Sequence, residues 1–295
     1  TSALLAELAS EAFEPDEFAV FEGGIETGRA FAELPFDHLL FTGSTRVAKE
    51  VSNSAAKNLI PLTLELGGKS PALVCPGANL KRAAERIVFG KLANAGQICI
   101  APDYVFVERA KFHDFIELLQ TYIKKAYPRL NNNPDYTSII SADHFSRLNR
   151  MIEEAREDGA EIISINPDGE ALEPSARKIP PTLILRPNPT LGVMQEEIFG
   201  PILPVLSYEK IEEAIEFVQH RARPLALYLF TENTRERERI LRETVSGGVA
   251  VNEVLFHCVC ETLPFGGVGA SGMGSYHGQA GFDTFSHLKP VFIQP

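Results

Sequence analysis

The chain has 295 residues, 44% hydrophobic and 23% charged, the balance of an ordinary globular protein with enough length for two domains. A net charge of −11 excludes a duplex nucleic-acid surface, which needs a basic stripe, but allows a phosphate-bearing small ligand held by helix N-termini. The cysteines are too few and too irregular for a disulfide framework, which points to a reducing compartment, and no apolar run approaches the roughly 20 residues of a membrane span.

Residues 1–12 read as an amphipathic helix, since Glu7 and Glu11 and the lack of a basic start argue against a signal peptide. Opening on Thr1 in mid-helix style, the chain is expected to be cut from something longer. Residues 18–21 read as a short strand, Glu22-Gly23-Gly24 as a turn and 25–32 as a helix. A strand over 38–41 runs into Thr42-Gly43-Ser44-Thr45 and a helix over 46–57, and a strand over 62–66 is stopped by Gly67-Gly68. This alternation predicts part of an open, mostly parallel α/β sheet.

From Pro71 a second unit begins. The pattern predicts a strand over 72–75, a helix over 80–93, a strand over 104–107 and a helix over 110–127. A polar loop over 131–134 leads to a helix over 142–158, stopped by Gly159, and a strand over 162–165. Residues 166–174 read as an exposed hairpin. Strands over 182–185 and 202–206 flank the turn 196–201, and a helix (211–220), a strand (225–230), a helix (233–244) and a strand (248–251) follow. Glycine is costly inside helices and strands, so the glycine-rich run 264–278 predicts a loop whose backbone approaches something closely. Residues 291–293 read as a last edge strand.

Several stretches could carry chemistry. Asn94-Ala-Gly-Gln-Ile-Cys-Ile-Ala-Pro-Asp-Tyr104 sets one thiol, Cys99, at a turn between a helix and a strand, beside glycine and a side-chain amide. A thiol there is placed to react, whereas burial would make it an inert filler. In Phe41-Thr-Gly-Ser-Thr45, Gly43 and Ser44 open a helix whose free N–H groups suit an anion, although an ordinary N-cap has the same pattern. Glu65, at the carboxyl end of a strand, could have its pKa raised by desolvation and act as a general base, or pair with Lys69. Within Glu196-Glu-Ile-Phe-Gly-Pro201, Glu197 could accept ribose hydroxyls and Phe199 cover an apolar ring, or the stretch could be a solvated turn with Phe199 in the core. Cys75 reads as core. His257-Cys258-Val-Cys260 lacks a second ligand pair, so no metal is expected, and His277 and His287 belong to no triad.

Together, Phe41-Thr-Gly-Ser-Thr45, Glu65-Leu-Gly-Gly-Lys-Ser-Pro71, Gly96-Gln-Ile-Cys99, Glu196-Glu-Ile-Phe-Gly-Pro201 and Pro264-Phe-Gly-Gly267 resemble, in order and spacing, the NAD(P)-dependent aldehyde dehydrogenases. Cys99-Ile-Ala-Pro-Asp-Tyr104 and Ser271-Gly-Met-Gly-Ser-Tyr-His-Gly278 look like the class-three branch, near the coniferyl aldehyde dehydrogenases. The resemblance implies a three-layer α/β architecture with a partial Rossmann-type cofactor domain and a complete α/β catalytic domain. Residues 1–66 would be the C-terminal half of the dinucleotide-binding domain, 67–251 the catalytic domain, and 252–295 a glycine-rich return segment with a C-terminal strand.

It also implies that Cys99 attacks an aldehyde as a low-pKa thiolate, alkylating well before Cys75, with its own backbone N–H on the oxyanion. Glu65 would activate water to release the acid. Gly43, Ser44 and Thr45 would hold the pyrophosphate of NAD or NADP, with Val47 near the adenine. Glu197 would bind the nicotinamide ribose, Phe199 support the ring and Phe265 line the pocket. An aromatic aldehyde such as coniferyl aldehyde, or a medium-chain one, is the implied substrate; a cytoplasmic homodimer without nucleic-acid or membrane partners is the implied setting. The rivals are a coenzyme A-acylating enzyme, which does not need Glu65 as a base, and an inactive binding or assembly module.

Departures from the family remain. Ala48 stands where glycine is usual, and the Pro-Trp-Asn-like and Lys-Pro-Ser-Glu segments, which complete the oxyanion hole and handle the adenosine ribose, are absent. The resemblance spans this whole chain but only the later part of a family enzyme. This polypeptide alone is therefore expected to bind NAD poorly and to turn over little aldehyde.

Overall fold

The computed structural model describes residues 1–131 and 133–295, so Asn132 of the loop expected over 131–134 lies outside the described residues. The chain divides into two compact units, Thr1–Thr63 and Leu64–Pro295. The first holds helices α1 (Ser2–Ala12) and α2 (Ile25–Ala32), strand β1 (Leu39–Thr42), helix α3 (Thr45–Ala56) and the start of β2 (Leu62–Glu65), on which the chain passes to the second. Its core is small: Ala32, Leu39, Ala55 and Ile60, with Phe36, Val51 and Leu62 against them. The Leu39 N–H donates to the Pro61 carbonyl at 3.0 Å, and the His38 ring bonds the Thr63 hydroxyl at 2.8 Å.

Residues 18–21 do not form the expected strand. No described strand pairs with them, and Phe18 and Phe21 are 53% and 72% exposed, so an apolar run without a ladder partner stays irregular. The same reason removes the edge strand expected over 291–293, where Phe292 is 89% exposed.

The second unit is built on strands β3 (Pro71–Val74), β4 (Tyr104–Glu108), β5 (Glu161–Ser164), β6 (Thr182–Leu185), β7 (Ile202–Tyr208), β8 (Ala226–Phe230) and β9 (Gly248–Val251). They form one sheet in the order β5-β6-β7-β4-β3-β8-β9, parallel throughout except β5 against β6. β3, β6 and β8 are buried along their whole length, which is why they show as unbroken apolar runs in the sequence. Helices α4 (Leu80–Leu92) and α5 (Phe112–Ala126) cover one face, setting Ile87, Phe115 and Leu119 against Val105 and Val107.

The other face carries α6 (Ala142–Glu157), the short α7 (Gly192–Gln195), α8 (Ile211–Gln219) and α9 (Thr234–Glu243). Leu148, Met151, Ile215 and Ile240 pack there on Leu73, Phe106 and Leu227. The exposed stretch 166–174, read as a hairpin, lies in the long connection of the antiparallel hairpin that β5 and β6 form. Glu170 anchors it by accepting the N–H groups of Leu130 and Asn131 at 2.8 and 2.7 Å. Beyond β9, β10 (Gly272–Met273) pairs antiparallel with Leu64 and Glu65, and α10 (Gly278–Thr284) closes the glycine-rich stretch. That helix was hidden in the sequence by Gly278 and Gly281.

Candidate active site

Glu65 ends β2 just before β3, Cys99 precedes β4, and Glu197 precedes β7, so all stand at the amino ends of the seven-stranded sheet. A cavity of about 630 Å³ lined by Cys75, Asn79 and Lys111 lies at the opposite, carboxyl ends of β3 and β4 and holds none of them.

The Cys99 loop begins where α4 breaks. Asn94, Ala95 and Gly96 take left-handed φ values of 51°, 52° and 76°. A Cβ on Gly96 would lie 2.3 Å from the Gly200 carbonyl oxygen and 2.9 Å from that of Lys91, so both φ and space require glycine. Gln97 then staples the loop: its Nε2 donates to the Asn94 and Ser138 carbonyls at 3.0 and 3.1 Å, and its Oε1 accepts the Ile140 N–H at 2.8 Å. Past Cys99, the Ala101 N–H donates to Ile98 at 2.9 Å and the Tyr228 hydroxyl donates to the Ile100 carbonyl. The half-buried thiol is therefore fixed from both sides.

Glu65 is 2% exposed. The Gly267 N–H donates to its carboxylate, while its Oε1 is buried without a partner. Burial lifts its pKa to about 7, with the Gly267 bond opposing. The close approach expected of the glycine-rich loop is made here. Gly272 pairs with Glu65, the Leu66 N–H donates to Ser271 at 3.1 Å, and a Cβ on Gly267 would fall 2.0 Å from the Ser271 carbonyl oxygen.

Glu197 is held as firmly. The Gly68 N–H donates to its carboxylate, and a Cβ on Gly67 would lie 2.1 Å from its Oε2. Arg147 donates to the carbonyls of Glu197 and Ile198 at 3.1 and 2.5 Å, and Asp103 accepts the Ile198 N–H at 3.2 Å. Burial raises the Glu197 pKa to about 7, Asp103 adds to it, and Gly68, Lys69 and Lys91 oppose. Phe199 follows in a left-handed conformation, φ 51°, and is half-buried.

Burial, then Glu65 and Glu197, push the Cys99 thiol up to about 11, with its own backbone N–H opposing. This corrects the expectation of a low-pKa thiol: two carboxylates facing a half-buried sulfur disfavour its anion. Cys75, in the core, is pushed higher still, by burial first and then by Glu236. Near neutral pH the Cys99 thiol is therefore protonated.

The aldehyde dehydrogenase family model matches residues 1–291. The chain belongs to the aldehyde dehydrogenase family. It is 50% identical over 295 residues to the coniferyl aldehyde dehydrogenase of Pseudomonas sp. strain HR199, covering 100% of this chain and 61% of that one. The aldehyde dehydrogenase family 3 member A2 of Rattus norvegicus is 43% identical over 295 residues, with coverage of 100% and 59%. The NAD-dependent aldehyde dehydrogenase of Sinorhizobium meliloti has the same fold, at a TM-score of 0.87 and 31% identity, covering 98% of this chain and 58% of that one. The chain thus spans about three-fifths of the length of the curated relatives it matches.

Within this aldehyde dehydrogenase chain the remaining candidates fall as follows. In the first unit, Gly43 and Ser44 are exposed at the mouth of α3, where the Ser44 hydroxyl oxygen accepts the Val47 N–H at 3.4 Å. Thr45 and Val47 are half-buried in its first turn, and Ala48 is 2% exposed. In the second unit, Phe265 is buried and stacks on His277 with centroids 5.3 Å apart. Lys69 does not pair with Glu65 as one reading allowed. It donates to Asp103 at 2.5 Å and to the carbonyls of Val193 and Glu196 at 2.8 and 2.9 Å.

Asp103, Lys91 and Arg147 went unnoticed in the sequence. Lys91 left a trace, because it continues the apolar helical stripe Ala84, Ile87, Val88, where a lysine needs a buried partner. Among the described residues no group of three His, Cys, Asp or Glu could hold a metal ion, and no helix is long and apolar enough to cross a membrane.

Proposed function

We propose that this chain carries the covalent machinery of an NAD- or NADP-linked aldehyde oxidation, taking an aromatic aldehyde such as coniferyl aldehyde, or a medium-chain one, to its carboxylic acid. The observation that carries the reading is one pinned thiol, Cys99, under the field of two carboxyls whose pKa values lie near 7. Such a carboxyl can take the thiol proton as the sulfur adds to the carbonyl carbon, and the Cys99 N–H meets the oxyanion. When bound, the cofactor supplies the acceptor for the hydride that leaves the substrate carbon.

Glu65 then removes a proton from water, the water oxygen attacks the thioacyl carbon, and the C–S bond breaks to return the thiol. Its unpartnered, buried oxygen suits that task and favours water over coenzyme A as the acceptor. The cofactor residues fit their parts. The 12-residue helix α3 opens on exposed Gly43 and Ser44, a mouth suited to a pyrophosphate, with Thr45 in its first turn, and Val47 would stand near the adenine. Glu197 is an immobilised acceptor for ribose hydroxyls, and Phe199 would support the ring. In this reading residues 1–66 are half of a dinucleotide-binding domain, 67–251 the catalytic domain and 252–295 the return segment of a cytoplasmic homodimer.

The test incubates Glu65→Gln protein with coniferyl aldehyde at saturating NAD or NADP and maps modified peptides by mass spectrometry. The expected result is an acyl group accumulating on Cys99, absent in Cys99→Ser. Aldehyde captured only on lysines would overturn the reading. The chain alone is expected to bind NAD weakly, and micromolar affinity by isothermal titration would contradict that.

A further inference from the structure

Between α5 and α6 the described chain has neither helix nor strand, yet residues 138–140 of this crossing are gripped from two sides. Gln97, 8% exposed, donates from Nε2 to the Ser138 carbonyl at 3.1 Å and accepts the Ile140 N–H on Oε1 at 2.8 Å. Arg177, on the connection between β5 and β6, takes the opposite ends. Its carbonyl accepts the Ile139 N–H at 2.8 Å, and its guanidinium Nε donates to the Ile139 carbonyl at 2.9 Å. Each of the two peptide groups flanking Ile139 is therefore bonded to Gln97 at one end and to residue 177 at the other. A peptide group is a rigid plane, so a turn imposed at its Arg177 end is felt at the Gln97 amide.

The Arg177 backbone is left-handed, φ 48° and ψ 35°, just past the short turn Pro174–Ala176, a conformation that any Cβ disfavours. Strain is thus kept at a residue whose side chain is in use. Ile139 is 1% exposed, and among the described residues Arg177 is the one donor to its carbonyl. Without the guanidinium that buried carbonyl would lack a partner, and its peptide would turn to find one. The rest of the crossing is anchored separately. The Tyr136 hydroxyl donates to the Ile179 carbonyl at 2.5 Å, and Lys178 donates to the Leu130, Asn131 and Asn133 carbonyls at 2.8, 2.5 and 3.0 Å. Loss of the guanidinium therefore frees the part that Gln97 reads. Gln97 in turn donates to the Asn94 carbonyl at 3.0 Å, and Asn94 Nδ2 donates back to the Gln97 carbonyl at 3.1 Å, directly before Ile98 and Cys99. We propose that Arg177 is a positioning residue for the Cys99 thiol, acting through the Ile139 peptides and the Gln97 amide. The connection between β5 and β6 is then a brace for the thiol loop.

The use of this brace rests on the proposed aldehyde oxidation, where the sulfur must be held for attack, but its test does not use turnover. Iodoacetamide alkylation of Cys99 is followed by mass spectrometry at pH 8 in the full chain. Burial holds this thiol at about 11, and each half pH unit toward the ordinary 9 is about threefold in thiolate. Arg177→Ala should alkylate about threefold faster or more, and Arg177→Lys, which returns a donor to the Ile139 carbonyl, should recover part of the difference. Lys178→Met, which frees the 130–133 end alone, should lower the melting temperature without moving the rate. In Gln97→Ala the thiol should already be fast, and adding Arg177→Ala should change it no further. If Arg177→Ala does not fold by near-ultraviolet circular dichroism, Arg177→Gly carries the same comparison, because glycine takes the left-handed backbone freely. A rate unmoved in folded Arg177→Ala or Arg177→Gly, a rise matched by Lys178→Met, or the same Arg177 increment with and without Gln97 overturns the proposal. The expected rates without any acyl group on Cys99 in Glu65→Gln protein would instead sink the functional reading and leave the brace standing.

Discussion

Gly96→Ala tests whether the Cys99 loop is held by backbone contact. A Cβ at this position meets the Gly200 carbonyl oxygen at 2.3 Å, its carbon at 2.7 Å and the Lys91 carbonyl oxygen at 2.9 Å, all main-chain atoms that no rotamer change can move. Alanine at φ 76° costs about 1–2 kcal/mol by itself. Forcing main chains apart in a packed site adds about 1–3 kcal/mol. The sum, about 2–5 kcal/mol, corresponds to a melting-temperature loss of roughly 5–15 °C for a unit of this size.

The control is Gly159→Ala, where φ is 85° but nothing lies within 4 Å of the added Cβ. It should show the conformational part only, about 1–2 kcal/mol. The second readout is iodoacetamide alkylation of Cys99 at pH 8. Releasing the loop moves the thiol from its buried value of about 11 toward the ordinary 9, so alkylation should speed up by about tenfold or more in Gly96→Ala and stay unchanged in Gly159→Ala. Equal melting losses with equal alkylation rates would refute the reasoning.

Other outcomes follow from the same geometry. Gly67→Ala places a Cβ 2.1 Å from the Glu197 carboxylate, a side-chain end that can turn aside where main chain cannot. Glu197 should therefore give up its Gly68 bond and swing out, and the midpoint of its carboxyl titration, read by ¹³C NMR, should fall from about 7 toward 4.5. Glu65→Gln removes a negative neighbour of Cys99, which should lower the thiol pKa and raise the alkylation rate between pH 7 and 9, whereas Cys75 alkylation should not change. Glu65 also sets a pH dependence of stability. Its folded pKa of about 7 lies above the ordinary 4.5, so the folded state binds the proton more tightly, and stability is lost as pH rises from 4.5 through 7, by up to roughly 3 kcal/mol. The difference between wild type and Glu65→Gln in urea melts should therefore change across that window and level off above pH 8. In the core, Leu119→Ala should cost about 2–5 kcal/mol in urea unfolding, because the residue is fully buried between α5 and the sheet.

Much of the fold was legible because local signals agreed with the tertiary structure. β8 and the helices on either side of it were marked by apolar runs, by the N-cap Asn233 and by helical periodicity. The failures share a cause. Residues 18–21 and 291–293 are apolar enough for strands, but a strand exists only with a neighbour, and no local pattern supplies one. At the site, Cys99, Glu65 and Glu197 were named from their motifs, but their mutual field was not legible. A thiol beside glycine and an amide suggests reactivity, and only the folded chain shows burial, and then two carboxyls, raising its pKa instead. Asp103 and Lys91 escaped for the same reason, since a buried ion cluster is a contact between elements distant in sequence.

The central claim is that Cys99 is the nucleophile and Glu65 the base that frees it. An active ester, p-nitrophenyl acetate, tests this without any cofactor. The account predicts continuous release of p-nitrophenolate by the wild type and an acetyl group mapped to Cys99. It predicts a single burst of one equivalent from Glu65→Gln, whose thioester persists, and no burst from Cys99→Ser. Acetylation spread over Cys258, Cys260 and lysines, with Cys99→Ser behaving as the wild type, would contradict it.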